Sequence, residues 1–178
     1  MLSVLKEGKT MRKLSLLFIV LAVVISLVGC SVKKDSKDLS TANFSSGKFE
    51  PESSKQVTST LIKELKLENM IEIDIEDISV HYGFDSDYFN DFSAFASKTE
   101  GCADEIAAFK ILDNKKRQVF IDALMEKAKL KSESYKNLNA NEHKKFNANS
   151  VSLHGDYVII TICASPETAF QLINDFYS

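Results

Sequence analysis

The sequence predicts an α+β domain: a mainly antiparallel sheet of about four strands, layered with helices as a two-layer sandwich. Three observations carry this. "EIAAFKIL" (105–112) places Ala107, Phe109 and Ile111 on one face of a strand. "VSLHGDYVIITIC" (151–163) is two apolar runs around His154-Gly155-Asp156, where glycine supplies the positive φ of a tight hairpin. A long stretch of helical periodicity separates the two strand regions, and another follows them, which gives the order β-β-α-β-β-α.

The elements follow in chain order. Val57, Leu61, Ile62 and Leu65 are spaced for an amphipathic helix from Ser54 to about Glu68, added in front of the core order. In "MIEIDIEDISVHYGF" Ile71, Ile73 and Ile75 alternate with Glu72, Asp74 and Glu76, the pattern of a strand or extended segment. Asp85 is an N-cap for a short helix through Asp91. Phe92–Ser97 and Glu105–Leu112 are the first two core strands. Asp113 caps the longest helix, about Lys115 to Tyr135, with Val119, Phe120, Ala123, Leu124 and Ala128 as its apolar stripe. "NLNANEHKKFNAN" is a polar loop with room for a helical turn over Glu142–Phe146. The last helix opens with Ser165 at the N-cap and Pro166 at the first helical position, and it buries Ala169, Phe170, Ile173 and Phe176.

Ahead of this domain lies a segment of different character. Arg12 and Lys13 precede the apolar run Leu14–Val28, which as a helix is about 22 Å long against a hydrocarbon core of about 30 Å. That length suits the hydrophobic region of a signal peptide better than a membrane span. The run ends in Leu27-Val28-Gly29-Cys30, which resembles the lipobox of bacterial lipoproteins, whose cysteine is acylated and becomes the new N-terminus. The resemblance implies Cys30 as the lipid-bearing residue, 1–29 as a cleaved signal peptide and the lipid membrane as a partner through acylated Cys30. Met1–Thr10 adds nothing that a signal peptide needs, so Met11 is the expected initiator. Residues 30–53, rich in Ser, Lys and Asp, read as a flexible tether, and 54–178 as the extracytoplasmic domain.

Charge narrows the partners. Of 22 basic and 25 acidic residues, Lys6, Lys9, Arg12, Lys13 and Glu7 precede Cys30, leaving 18 against 24, a net −6. Nucleic acid needs clustered Lys and Arg, so it is excluded as a partner. Membrane attachment must come from lipid rather than from charge. Cys102 and Cys163 are the other two cysteines, and spacing alone leaves open whether they pair.

No motif points to catalysis, a metal or a cofactor. The acidic set Asp74, Glu76, Asp77, Asp85, Asp87 and Asp91 fails the calcium-loop pattern, which would place Phe89 and Ala96 at ligand positions. His81, His143 and His154 lack metal-ligand spacing and read as exposed polar residues. "Gly101-Cys102-Ala103" shows no basic neighbour that would make a nucleophile of the thiol. Five aromatics fall within twelve residues, and with Tyr82 they make Tyr82, Phe84, Tyr88, Phe89, Phe92 and Phe95 a candidate binding surface. Core packing is the competing use of the same rings.

"HYGFDSDYFNDFSAF", "ADEIAAFKILD" and "GDYVIITICASPETAFQLI" are similar to the corresponding stretches of a family of lipoproteins from low-GC Gram-positive bacteria, which carry the domain of unknown function numbered 4358. The likeness spans roughly Met70 to Phe176. It implies a surface lipoprotein and no activity. The expectation from sequence is therefore a lipid-anchored binding or interaction module on the outer face of the cell membrane, without a cofactor. Its partner would be an unknown small ligand or envelope protein. The alternatives are a cell-envelope enzyme and a structural or regulatory partner of a membrane complex.

Overall fold

The computed structural model describes residues 51–175 and one strand ahead of them, Asn43–Ser45. The expected signal peptide, Cys30, most of the expected tether and Phe176 lie outside the described residues. In chain order the elements are β1 (Asn43–Ser45), α1 (Ser54–Glu64), β2 (Met70–Glu72), α2 (Ile75–Tyr82), a 3₁₀ turn (Ser86–Tyr88), β3 (Asp91–Ser97), β4 (Glu105–Lys110), α3 (Asn114–Lys136), α4 (Ala140–His143), β5 (Val151–His154), β6 (Tyr157–Ile162) and α5 (Pro166–Asp175). The strands form one sheet in the order β1-β5-β6-β4-β3-β2, antiparallel throughout except that β1 runs parallel to β5. The α+β class and the order β-β-α-β-β-α are those read from the sequence. Strand β1 falls inside the stretch 30–53, so ordered chain reaches ahead of Ser54.

Helices cover both faces of the sheet, which adds a layer to the expected sandwich. Every residue of β6 is buried, and so is every residue of β4 except Lys110. A strand buried on both sides reads as a continuous apolar run rather than an alternation. One face carries Ala107, Phe109, Val158, Ile160 and Ile162 against Ile78 of α2 and Phe120, Ile121 and Leu124 of α3. The other carries Ile106, Ala108, Tyr157 and Ile159 against Val57 and Leu61 of α1 and Ile173 of α5.

Several elements form where the local signals place them. Asp113 caps α3, its carboxylate accepting from the N–H groups of Lys115 and Lys116. Pro166 begins α5, and Gly155 turns the β5–β6 hairpin with φ +59°. Arg117 then ties α3 to that hairpin by donating to Ile111 O and to Asp156 Oδ1. The buried stripe of α3 is shifted from the expected one: Phe120, Ile121, Leu124, Ala128 and Ser132 face the sheet, while Val119 and Ala123 are exposed. Helix α1 stops at Glu64 because Lys66 and Asn69 take left-handed backbone.

The largest departure is α2. The stretch expected to be extended from Ile71 to Ile75 is strand only to Glu72 and helix from Ile75. Ile75, Ile78 and Tyr82 satisfy helical spacing as well as Ile71, Ile73 and Ile75 satisfy alternation. The helix ends decide between them. Asp74 precedes Glu76 and Asp77 in the first turn, where acids suit the helix dipole. Gly83 closes the last turn in left-handed conformation, φ +81°. The short helix expected after Asp85 is a single 3₁₀ turn, because β3 starts at Asp91.

Candidate functional site

The site is built where β2, α2 and the start of β4 meet. Glu105 opens β4 on the face that also carries Ala107 and Phe109, so its carboxylate enters the core and the residue is 3% exposed. A carboxylate buried without partners would be prohibitively costly. Lys131 reaches it from α3 with Nζ 2.8 Å from Oε2. His81 reaches it from α2 with Nε2 3.7 Å from Oε1, an ion-pair distance too long for a direct hydrogen bond. Burial alone would push the Glu105 carboxyl up. His81 and Lys131 outweigh burial and hold it at about 2. The neighbouring Tyr82 hydroxyl is raised well above its ordinary value by burial and by the Glu105 charge. Lys127, over the Tyr82 ring at 4.8 Å, is lowered chiefly by burial. Beneath α3, between Glu105, Lys127 and Lys131, about 10 Å³ of water-accessible space remains, room for one water molecule.

Outside this buried centre lies an open groove of about 410 Å³ of water-accessible space between β2 and α2, lined by Ile71, Glu72, Ile73, Asp77, Val80, His81 and Ala96. His81 belongs to both regions: it lines the groove and faces Glu105. Ile71 is 49% exposed and Val80 88% exposed.

A second polar cluster sits at the other side of the β4 start. Lys145 Nζ lies 2.7 Å from Asp104 Oδ1, 2.8 Å from Glu142 Oε2 and 3.4 Å from Cys102 Sγ. Glu142 also accepts from the Ala103 N–H at 2.7 Å. Ligand atoms of Cys102, Asp104 and Glu142 lie within 4.8 Å of one another, a spacing that could hold a metal ion. The Lys145 ammonium already occupies the position a cation would take. Burial works against that ammonium, but Asp104 and Glu142 outweigh it and hold Lys145 above the ordinary lysine range. Burial likewise opposes the Glu142 carboxylate, and Lys145 together with the Ala103 N–H holds it low.

The candidate aromatic surface is largely core. Phe84 and Tyr88 pack on Phe120 with ring centroids 4.6 and 6.1 Å away, and Phe89 packs on Phe109 at 5.3 Å. Tyr82 and Phe89 are buried. Phe92 is half-buried against the same cluster, and Phe95 is half-buried opposite Ile106. Phe109 and Phe120 supply the partners that local counting left out, which is why these rings find cover. The histidines also differ from expectation. His154, 1% exposed, is buried against Phe170 and Ser152, and burial lowers it to about 4. His143 is half-buried with Nδ1 beside Ser132. Cys102 does have a basic neighbour, Lys145, which lies 43 residues away in sequence. Both described cysteines are free thiols, and burial pushes the Cys163 thiol up.

Sequence reasoning missed Glu105, Lys131 and Lys145. For Glu105 a signal existed: an acid leading an otherwise apolar strand, on the same face as Ala107 and Phe109. For Lys145 there was none, because its partners come from segments that only the fold brings together.

Among the described residues no helix is long and apolar enough to cross a membrane. Residues 63–163 match one protein family, described as Domain of unknown function (DUF4358). No curated protein and no solved structure matches the chain.

Proposed function

The chain belongs to the DUF4358 family, and from that premise we propose that it is a lipid-anchored binding module on the outer face of the cell membrane of a Gram-positive bacterium. One observation carries the anchor: an apolar run too short to span comfortably ends in Leu27-Val28-Gly29-Cys30. A cysteine bearing a two-chain diacylglyceryl group holds a protein on a bilayer stably, where a single chain holds it only marginally. The net −6 of the chain from Cys30 onward adds no attraction to anionic lipid, so the acyl chains carry the attachment alone. The binding role is supported by the groove beside α2, which presents apolar side chains and titratable groups together on one surface.

Cys30→Ala tests the anchor. The variant should remain as uncleaved precursor or leave the membrane fraction, and it should lose incorporation of a labelled fatty acid. Unchanged partition, size and labelling would overturn the anchor.

A further inference from the structure

We infer that the β2–α2 groove receives a short peptide segment of another envelope protein, one that carries aliphatic side chains alternating with Lys or Arg. This deepens the binding-module reading and rests on it. The groove and its surroundings combine three properties.

The first is clustered apolar exposure. Ile71 and Val80, 49% and 88% exposed, both line the groove, and Ile75, 42% exposed, lies between them in sequence. The exposed Val119 and Leu130 lie on α3, eleven positions or about 16 Å apart along its axis. Scattered exposed aliphatics need no explanation, whereas a cluster bordering a groove does.

The second is unpaired negative charge. Glu72, Asp74, Glu76 and Asp77 are all exposed, and among the described residues none of them forms an ion pair. Several acids elsewhere are matched, Asp104 and Glu142 by Lys145, Glu105 by Lys131, Asp156 by Arg117, and what sets these four apart is that they stand within six residues beside an apolar groove. Four neighbouring carboxylates repel one another, and a cationic partner relieves that repulsion. The same charge argues against a second copy of this chain as the occupant, because a two-fold contact would set acid against acid.

The third is an open strand edge. Strand β2 ends the sheet. Ile73 N donates to Ala94 O and Lys98 N donates to Asn69 O. The odd positions therefore face β3, and Met70 and Glu72 turn their backbone groups outward. An extended segment can bond there while its aliphatic side chains meet Ile71 and Val80 and its cations meet Glu72 and Asp77. With only three residues the edge alone is a weak template, so the groove and the charge supply selectivity.

The test uses the full chain in nanodiscs of uncharged lipid, with a fluorescent Lys-Val-Lys-Ile-Lys-Val peptide as probe and its Glu-for-Lys counterpart as control. The Lys peptide should bind and the Glu peptide should not. Asp77→Lys and Val80→Glu should each weaken binding by about tenfold, and Leu130→Lys on α3 should not. Both altered groove residues are exposed, so the variants fold. Equal binding of the two peptides, indifference to Asp77→Lys, or self-association of the chain through β2 would each overturn the inference. A chain that binds the peptide yet partitions normally with Cys30→Ala would refute the anchor and leave the groove assignment intact.

Discussion

Glu105 and Asp104, at the start of β4, and Glu72 and Asp77, beside α2, are carboxylates of one small region with opposite circumstances. The first two are turned inward, and each has an ammonium within 2.8 Å. The second two are turned outward without an ion pair among the described residues. The inward pair belongs to the architecture: Glu105 holds α2 and α3 to β4 through His81 and Lys131, while Asp104 holds the α4 region through Lys145. The outward pair ties no element to another. Charge that is satisfied within a fold restrains its elements, and charge left over is available to something else.

The comparison breaks first if the inner charges prove dispensable. Lys131→Met leaves Glu105 buried beside His81 alone and should cost about 3–5 kcal/mol, the usual consequence of removing one member of a buried pair. Chemical denaturation at neutral pH measures this, and a loss below about 1 kcal/mol would show that Glu105 is better solvated than its burial indicates. Lys145→Met should destabilise in the same direction, since two carboxylates then share one enclosure.

The pH dependence sharpens the same contrast. In the fold Glu105 sits at about 2 against an ordinary 4.5, so its stabilisation is complete above the unfolded value and is lost as pH falls towards 2. His154 sits at about 4 against 6.5, so the unfolded chain takes up a proton first and stability declines between those values. Each contributes on the order of 3 kcal/mol. Unfolding free energy should therefore fall in two limbs on acidification, and Glu105→Gln should flatten the lower limb alone.

The smallest effect belongs to the outer surface. Asp77→Asn and Val80→Ser should change stability by no more than about 0.5 kcal/mol. A larger loss in the same denaturation experiment would mean that the α2 surface supports the fold, and the division between inner and outer charge would fail.

Much of the scaffold was legible because its signals are local. Asp113 and Pro166 mark helix starts within a few residues of the turns they govern, and Gly155 marks a turn. The interval Ile71–Tyr82 was ambiguous because isoleucines at 71, 73, 75 and 78 satisfy two periods, and Gly83 with the acids at 76 and 77 settles which one wins. The second helical layer was concealed in strands whose two faces are both apolar, so alternation could not show it. The inner charge clusters were illegible for a different reason. Lys131 and Lys145 look like ordinary surface lysines until α3 and α4 are set against β4.

The central ladder has a bearing on how the chain assembles. Strands β3 and β4 are near neighbours in sequence, as are β5 and β6, but the contact that unites them pairs Glu105 with Ile162 and Lys110 with Tyr157. Closing that contact means looping in all of α3 and α4, and contacts between distant residues form slowly. Until they form, β4 is an open edge of buried-type residues, the kind of surface that joins neighbouring chains. The last strand thus acts as a safeguard on the first half of the domain: its arrival converts β4 from the chain's most adhesive segment into its most protected one.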